Sequence, residues 1–274
     1  MQYKISKEVP FDVQYPAIQI SDVGGRSVVY SPFEGWIEFY NGKGDVVSTV
    51  LPFVGEKPEY ERILKCSIAG ERAAFLISEP SAPRARVLLT DLEGNQFWDV
   101  SLDLKIAAEI LLSANSGYVL AGSYTSDDRI ERSTTLLDKD GKMQKMFHGI
   151  FRYADFDEEE NRVVFTERNA VVLASIDDGE PSVRWSSNSR EEVVTGVRFA
   201  GCYVGVVVEK VSLETGKPLY NNPLLVVLNE KAEVLLRKQL VQVSEHPATL
   251  RTDGEILTLS SGGSQVRVDV REIE

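Results

Sequence analysis

Short acidic segments are the parts of this sequence best suited to chemistry, because carboxylate oxygens hold divalent cations. The segment Asp138-Lys139-Asp140-Gly141 begins like a calcium-binding loop. Such a loop of about twelve residues also needs an oxygen ligand at its fifth position and a glutamate at its end. Lys142 and Gly149 occupy those two positions. The pattern therefore predicts a hairpin turn, which Asp and Gly build readily.

A second acidic segment, Asp155–Glu160, carries a carboxylate at every position except Phe156. It could bind a divalent cation or a basic partner, but charged runs of this kind are usually solvated. The segment lies where a hairpin is expected between two apolar strands. We therefore predict a solvated turn here and not a metal site.

Motifs of the common enzyme classes are missing from the sequence. It has two histidines and two cysteines and no HExxH, CxxC or GxSxG motif, so neither a zinc site nor a nucleophile elbow is indicated. Gly42-Lys43-Gly44 is only a fragment of a dinucleotide fingerprint, and Gly141-Lys142 and Gly216-Lys217 lack the upstream glycine of a phosphate loop. We therefore predict no metal ion and no cofactor.

The charge balance and apolar content limit the class of protein. The 274 residues include 30 basic and 42 acidic side chains, and the net charge of −12 argues against a nucleic-acid or membrane partner, either of which needs a basic face. Residues 1–12 lack the apolar run of a signal peptide. Cys66 and Cys202 lie in apolar segments typical of buried thiols, although a disulfide between them stays open. We expect a soluble, cytoplasmic protein.

The secondary-structure signal is that of an all-β protein. Only Leu104–Leu112 could be helical, and its composition also suits a buried strand. Five hairpins share one form: an apolar strand, then Asp or Asn, a short turn, and an alternating strand. In such turns Asp and Asn bond the turn backbone, and Gly takes the positive φ of the reversal. The anchor residues of these five turns are Gly44, Gly94, Gly141, Gly179 and Ala232.

The anchors recur on average about every 47 residues, the spacing of propeller blades. Two more strands, Glu255–Ser260 and Gln265–Val270, follow the fifth anchor. We therefore predict one domain, residues 1–274, folded as a six-bladed β-propeller. Seven blades are the main alternative and a two-sheet sandwich a more distant one. Residues 1–8 are predicted to supply the outer strand of the last blade and so close the ring.

One stretch of the sequence resembles a known repeat. Ala170–Gly179, followed by Val183-Arg184-Trp185, is similar to the quinoprotein-type (PQQ-like, WD40-like) propeller repeat, and Arg86–Trp98 resembles it more loosely. The resemblance implies that the tryptophans pack between neighbouring blades. The quinone-using enzymes of that family are longer and eight-bladed, and none of their cofactor-binding residues is matched here. Its non-enzymatic members are assembly scaffolds, which by analogy supports a binding role.

Long loops between second and third strands are predicted at 78–84, 123–133 and 209–222. In a propeller such loops share one face, where function usually lies, although they could also be merely tolerated insertions. His148 and His246 are predicted on the same face. Mixed charges and exposed tyrosines suit contact with another protein. The candidate binding residues are Arg84, Tyr124, Asp127, Asp128, Arg129, Arg132, Lys217 and Tyr220.

The sequence therefore favours a non-catalytic propeller scaffold that binds another protein through this face, and it leaves a small-molecule ligand open. The alternative is a calcium-dependent hydrolase of the six-bladed lactonase kind, in which carboxylates hold calcium over the central channel. Glu109, Asp155 and Asp157 are the candidate ligands for that alternative.

Overall fold

The computed structural model of the protein describes residues 17–20, 24–31, 36–50, 63–78, 85–102, 106–125, 130–167, 169–176, 182–187, 189, 191–214 and 216–273. Every strand pairing in these ranges is antiparallel, and their only helix is a 3-10 turn at Val270–Glu272. The predicted all-β class is confirmed. The segment whose composition also allowed a helix, Leu104–Leu112, contains the strand Ile106–Leu112. Within the described ranges no helix is long and apolar enough to cross a membrane.

Residue contacts divide the chain into two compact units, Met1–Ile150 and Phe151–Glu274. The described part of the first unit forms three four-stranded sheets, in each of which strands consecutive in the chain pair. The first sheet contains β1 (Ala17–Ile20), β2 (Ser27–Tyr30), β3 (Ile37–Tyr40) and β4 (Val46–Val50). The second contains β5 (Ile63–Ala69), β6 (Arg72–Ser78), β7 (Ala85–Asp91) and β8 (Gln96–Ser101). The third contains β9 (Ile106–Leu112), β10 (Tyr118–Tyr124), β11 (Arg132–Asp138) and β12 (Met143–His148).

The second unit has the same plan, with three further sheets in its described residues. The fourth sheet contains β13 (Ala154–Phe156), β14 (Arg162–Glu167), β15 (Ala170–Ser175) and β16 (Val183–Ser186). The fifth contains β17 (Glu192–Ala200), β18 (Tyr203–Glu214), β19 (Lys217–Leu228) and β20 (Val234–Gln239), and a short strand β21 (Val243–Ser244) pairs with β19. The sixth contains β22 (Thr249–Asp253), β23 (Ile256–Ser261) and β24 (Ser264–Asp269).

The turn between the third and fourth strands has the same chemistry in four sheets. Its first side chain accepts hydrogen bonds at 2.8–3.0 Å from the backbone N–H groups two and four residues later, and it does so at Asn41, Asp91, Asp138 and Asn229. The anchors three residues later, Gly44, Gly94, Gly141 and Ala232, have φ angles of 85°, 88°, 78° and 60°. The predicted turn repeat is confirmed at these positions, and Asp138 is a turn residue. The anchor Gly179 lies outside the described residues.

Apolar cores between neighbouring sheets hold each unit together. In the first unit Phe39 and Phe75 meet edge to face with their ring centroids 6.1 Å apart. Trp98 packs on the core between the second and third sheets, and its Nε1–H donates to the Lys139 carbonyl at 2.8 Å. In the second unit Trp185 packs on the core between the fourth and fifth sheets. Trp98 and Trp185 therefore join neighbouring sheets, as the resemblance implies.

Two expectations meet a different outcome, and a third is not tested. Cys202 is exposed at the turn between β17 and β18, so the prediction of a buried thiol was wrong there, whereas Cys66 is buried. Neither forms a disulfide. The acidic run does form a turn, but Asp157 and Glu160 are each only 8% exposed, so the turn is not fully solvated. Residues 1–8 lie outside the described residues, and ring closure stays a prediction.

Candidate protein-binding site

The predicted loop 209–222 is a β-hairpin, so the prediction of a loop was wrong. β18 and β19 continue as a paired ribbon in which Lys210 lies opposite Asn221 and Glu214 opposite Lys217. Gly216, with φ at 82°, reverses the chain. The polar composition of the segment suggested a loop, but a ribbon outside the apolar cores tolerates polar residues while its backbone groups pair across the strands. We call residues 210–214 and 216–222 the arm.

The two faces of the arm differ in chemistry. Val211 lies opposite Tyr220 and Leu213 opposite Pro218, so these four residues share one face of the ribbon. The Leu213 side chain is 78% exposed. On the other face the Asn221 amide donates to the Ser212 hydroxyl at 3.0 Å. The arm therefore presents an apolar face to solvent and satisfies polar groups on the opposite face.

Glu209 fixes the base of the arm. Its side chain is 1% exposed and lies where the pairing of β18 with β19 shifts register. The Thr195 hydroxyl of β17 donates to this carboxylate, and the Ala248 N–H, just before β22, donates to both carboxylate oxygens at 3.2 Å. Burial raises the pKa of the Glu209 carboxyl above its ordinary value, against the opposing effect of these two donors. Hydrogen bonds from β17 and from the residue just before β22 therefore hold the arm at its base.

Two of the predicted binding residues lie on the arm. Lys217 forms an ion pair with Glu245 at 3.7 Å, and both side chains are largely exposed, so the pair contributes little stability. Tyr220, which is half-buried, lies opposite Ser244 of β21. The structure therefore brings Lys217 and Tyr220 onto one hairpin, next to the segment 243–245.

Two other predicted residues lie together at the end of the third sheet. Tyr124 closes β10 directly opposite Arg132, the first residue of β11. Beyond this pair the Thr125 N–H donates to the Glu131 carbonyl at 2.9 Å, and Ile130 is 59% exposed. The remaining candidates, Arg84, Asp127, Asp128 and Arg129, lie outside the described residues.

The two histidines that were predicted to lie on the binding face are both exposed. His148 ends β12 opposite Ser133 of β11. His246 follows Glu245, and its backbone N–H donates to the Ser244 hydroxyl at 3.1 Å. His148 thus lies in the third sheet, as Tyr124 and Arg132 do, and His246 adjoins the segment beside the arm.

Comparison with solved structures identifies the fold. The C-terminal WD40 domain of Sif2 aligns with a TM-score of 0.54 at 8% sequence identity, over 94% of this chain and 83% of that chain. The fold is a β-propeller. Kluyveromyces lactis Hsv2 aligns at 12% identity with a TM-score of 0.48, over 88% of this chain and 68% of that chain. No family model matches the sequence, and neither does any curated protein.

The carboxylates considered as calcium ligands in the propeller each have a protein partner. Glu109 accepts from the Lys65 ammonium at 2.8 Å. Asp155 accepts from the Phe199 N–H at 2.9 Å, and burial raises the pKa of its carboxyl. Asp157 holds its own turn, and its carboxylate pairs with Arg162 at 2.8 Å. Within the described part of the chain, no three His, Cys, Asp or Glu side chains are grouped to hold a metal ion.

Sequence reasoning missed the apolar face of the arm and its anchor. Val211 and Leu213 alternate with polar residues as in a strand, which was an available signal for the ribbon. Glu209 gave no such signal, because its burial depends on Thr195 and Ala248, which are distant in sequence. The propeller therefore carries a ribbon with an exposed apolar face where only a loop was expected.

Proposed function

We propose that the protein is a non-catalytic β-propeller scaffold that binds another protein through the arm. The apolar face of the arm carries this proposal. Leu213 is 78% exposed and does not pack in a core. The hydrogen bonds of Glu209 hold the base of the arm, so the apolar face of the arm has a defined position. Exposed apolar surface next to tyrosine and mixed charge is typical of protein contacts.

We also propose that residues 1–274 form a single ring of six blades and that residues 1–8 complete the last blade. This is supported by six sheets in the described residues, the last of which has three strands where most of the others have four. Tyr3 and Ile5 alternate with polar residues, so in a strand they share its one apolar face. Replacing both with Asp should lower the melting temperature by several degrees. The same change at Lys4 and Ser6 should not. Equal effects would contradict the closure.

The binding proposal is tested by quantitative capture from cells that express the protein. We expect the triple variant Leu213→Ala, Lys217→Ala, Tyr220→Ala to lose partners that the wild type enriches, while circular dichroism shows that it is still folded. The control triple variant, Phe97→Ala, Met143→Ala, Met146→Ala, removes side chains that are more than half exposed and lie on β8 and β12 instead of the arm. It should keep those partners.

Direct binding then decides the matter. An enriched partner, purified and titrated by calorimetry, should bind the wild type and the control equally and the site variant at least about tenfold more weakly, a loss of about 1.4 kcal/mol. Retained binding by the site variant would refute the assignment of this surface.

A further inference from the structure

β20 is the outer strand of the fifth sheet, and within the described residues its far edge pairs with no other strand. Nearly all of its residues are exposed. Large apolar side chains are concentrated in and just after it: Val234, Leu235, Val241 and Val243 are exposed by 37%, 38%, 85% and 53%. We call residues 234–243 the edge segment. It exposes apolar surface beside an open strand edge, a combination that offers another chain a template for strand pairing.

The backbone of the edge segment has hydrogen-bonding groups directed away from the sheet. The Leu240 N–H donates to the Pro223 carbonyl at 2.8 Å, and Lys238 lies opposite Leu225 in the same ladder. Because antiparallel residues alternate between bonded and non-bonded pairs, Lys238 and Leu240 direct their groups to β19. Arg237 and Gln239 then direct their N–H and C=O groups to the open edge. An added strand could bond to them.

The charge of the edge segment is opposite to that of the protein. The segment contains Arg237 and Lys238 and no acidic residue, although the chain has a net charge of −12. Both side chains are exposed and lie on opposite faces of β20, since successive strand residues alternate. An extended segment paired with β20 would therefore meet a cation on each of its faces, which favours a partner with carboxylates.

We propose that β20 is a docking edge for an extended acidic segment of another protein, which adds to the fifth sheet as a further strand. Its backbone bonds to Arg237 and Gln239, its carboxylates lie beside Arg237 and Lys238, and its apolar side chains cover Val234 and Leu235. This strand addition uses residues other than those of the arm, so it stands independently of the proposed function.

The test is fluorescence anisotropy of the full chain with a labelled peptide of alternating glutamate and valine. We expect the wild type to bind this peptide saturably. It should not bind the matching peptide of alternating lysine and valine. Gln239→Pro removes an outward N–H without touching the bonds to β19, and it should weaken binding about tenfold or more, while Gln239→Ala, which keeps that N–H, should change it less than about twofold. Circular dichroism and melting confirm that each variant is folded.

Charge reversal provides the second arm of the experiment. Arg237→Glu with Lys238→Glu should abolish binding of the acidic peptide and create binding of the lysine–valine peptide. The control, Lys43→Glu with Lys139→Glu, makes the same charge change at two exposed turn residues and should have no effect.

Three results would overturn the proposal. One is no binding of the acidic peptide, which would mean that the cations only keep edges of neighbouring molecules apart. Another is binding that Gln239→Pro leaves unchanged, because attraction without strand pairing would suffice. The third is binding to phosphatidylserine–phosphatidylcholine vesicles in the absence of peptide binding, which would assign the edge to a membrane surface.

Discussion

Replacing Glu209 with alanine should destabilise the protein strongly, because two buried donors would lose their acceptor. The side chain is 1% exposed, and it accepts from the Thr195 hydroxyl and the Ala248 N–H. Leaving a buried donor unsatisfied costs about 1–3 kcal/mol, and relief of the buried charge offsets part of the sum. We expect a loss of about 3 kcal/mol in the free energy of unfolding, which lowers Tm by about 6–12 °C.

Glu209→Gln is the matched control for this prediction. The glutamine amide oxygen can accept from the Ala248 N–H, and its NH₂ group can donate to the Thr195 hydroxyl oxygen. Both buried partners therefore keep a hydrogen bond to residue 209 and no charge is buried, so we expect a cost of less than about 1 kcal/mol. The comparison separates the hydrogen bonds from the charge of the carboxylate.

The pH dependence of the two proteins adds a second readout. Burial raises the pKa of the Glu209 carboxyl above its ordinary value of 4.5, so the native state binds this proton more readily than the unfolded state. The Glu209 contribution to the free energy of unfolding therefore falls as the pH rises from the ordinary value through the raised one. Glu209→Gln lacks this fall, and its stability relative to the wild type should improve over that interval.

Urea unfolding followed by circular dichroism, repeated across this pH range, measures both effects. Equal losses for the alanine and glutamine variants would refute the hydrogen-bonding argument. A constant difference between the wild type and Glu209→Gln at every pH would refute the argument about the carboxyl pKa.

Three further predictions concern the sheet contacts and the thiols. Gly141→Ala should lower the free energy of unfolding by about 2 kcal/mol, because the added Cβ would lie 3.0 Å from Trp98 at a residue with positive φ. Gly44→Ala has open space around it and should cost about half as much, as measured by urea unfolding. Trp98→Phe should lower the free energy of unfolding by about 1 kcal/mol, because it removes the hydrogen bond from Nε1–H to the Lys139 carbonyl, and an unchanged Tm would contradict this. The native protein should react with Ellman's reagent at Cys202 alone, because Cys66 is buried and burial raises the pKa of its thiol. Rapid reaction of two thiols would contradict this.

The hairpin turns could be predicted from sequence because their chemistry is local. At Asp91 the side chain, the two N–H groups it accepts from and the anchor Gly94 lie within four residues of one another. The turn types therefore fix the repeat, and the repeat gives the sheet order. No distant residue has to be known for this part of the fold.

The arm, whose base depends on distant partners, and the exposed thiol, which depends on how the chain turns beside it, were not predicted. The polar residues 209–222 are typical of a loop by composition, and they form strands because each side of the ribbon pairs with the other and Glu209 bonds to Thr195 and Ala248. Cys202 lies next to apolar residues in the chain, but Gly201 reverses the backbone there with φ at 57° and leaves the thiol outside. Local composition does not carry this information.

The pairing of each strand with its neighbour in sequence has a consequence for synthesis. Apart from β21, every ladder in the described residues joins consecutive strands, so the hydrogen bonds of a sheet close over short stretches of chain. A sheet can be completed once its own strands have left the ribosome, while later ones are still being translated. Within each unit, the apolar face of a newly completed sheet is then exposed only until the next sheet forms and packs on it. The apolar surface available for aggregation therefore stays small during translation.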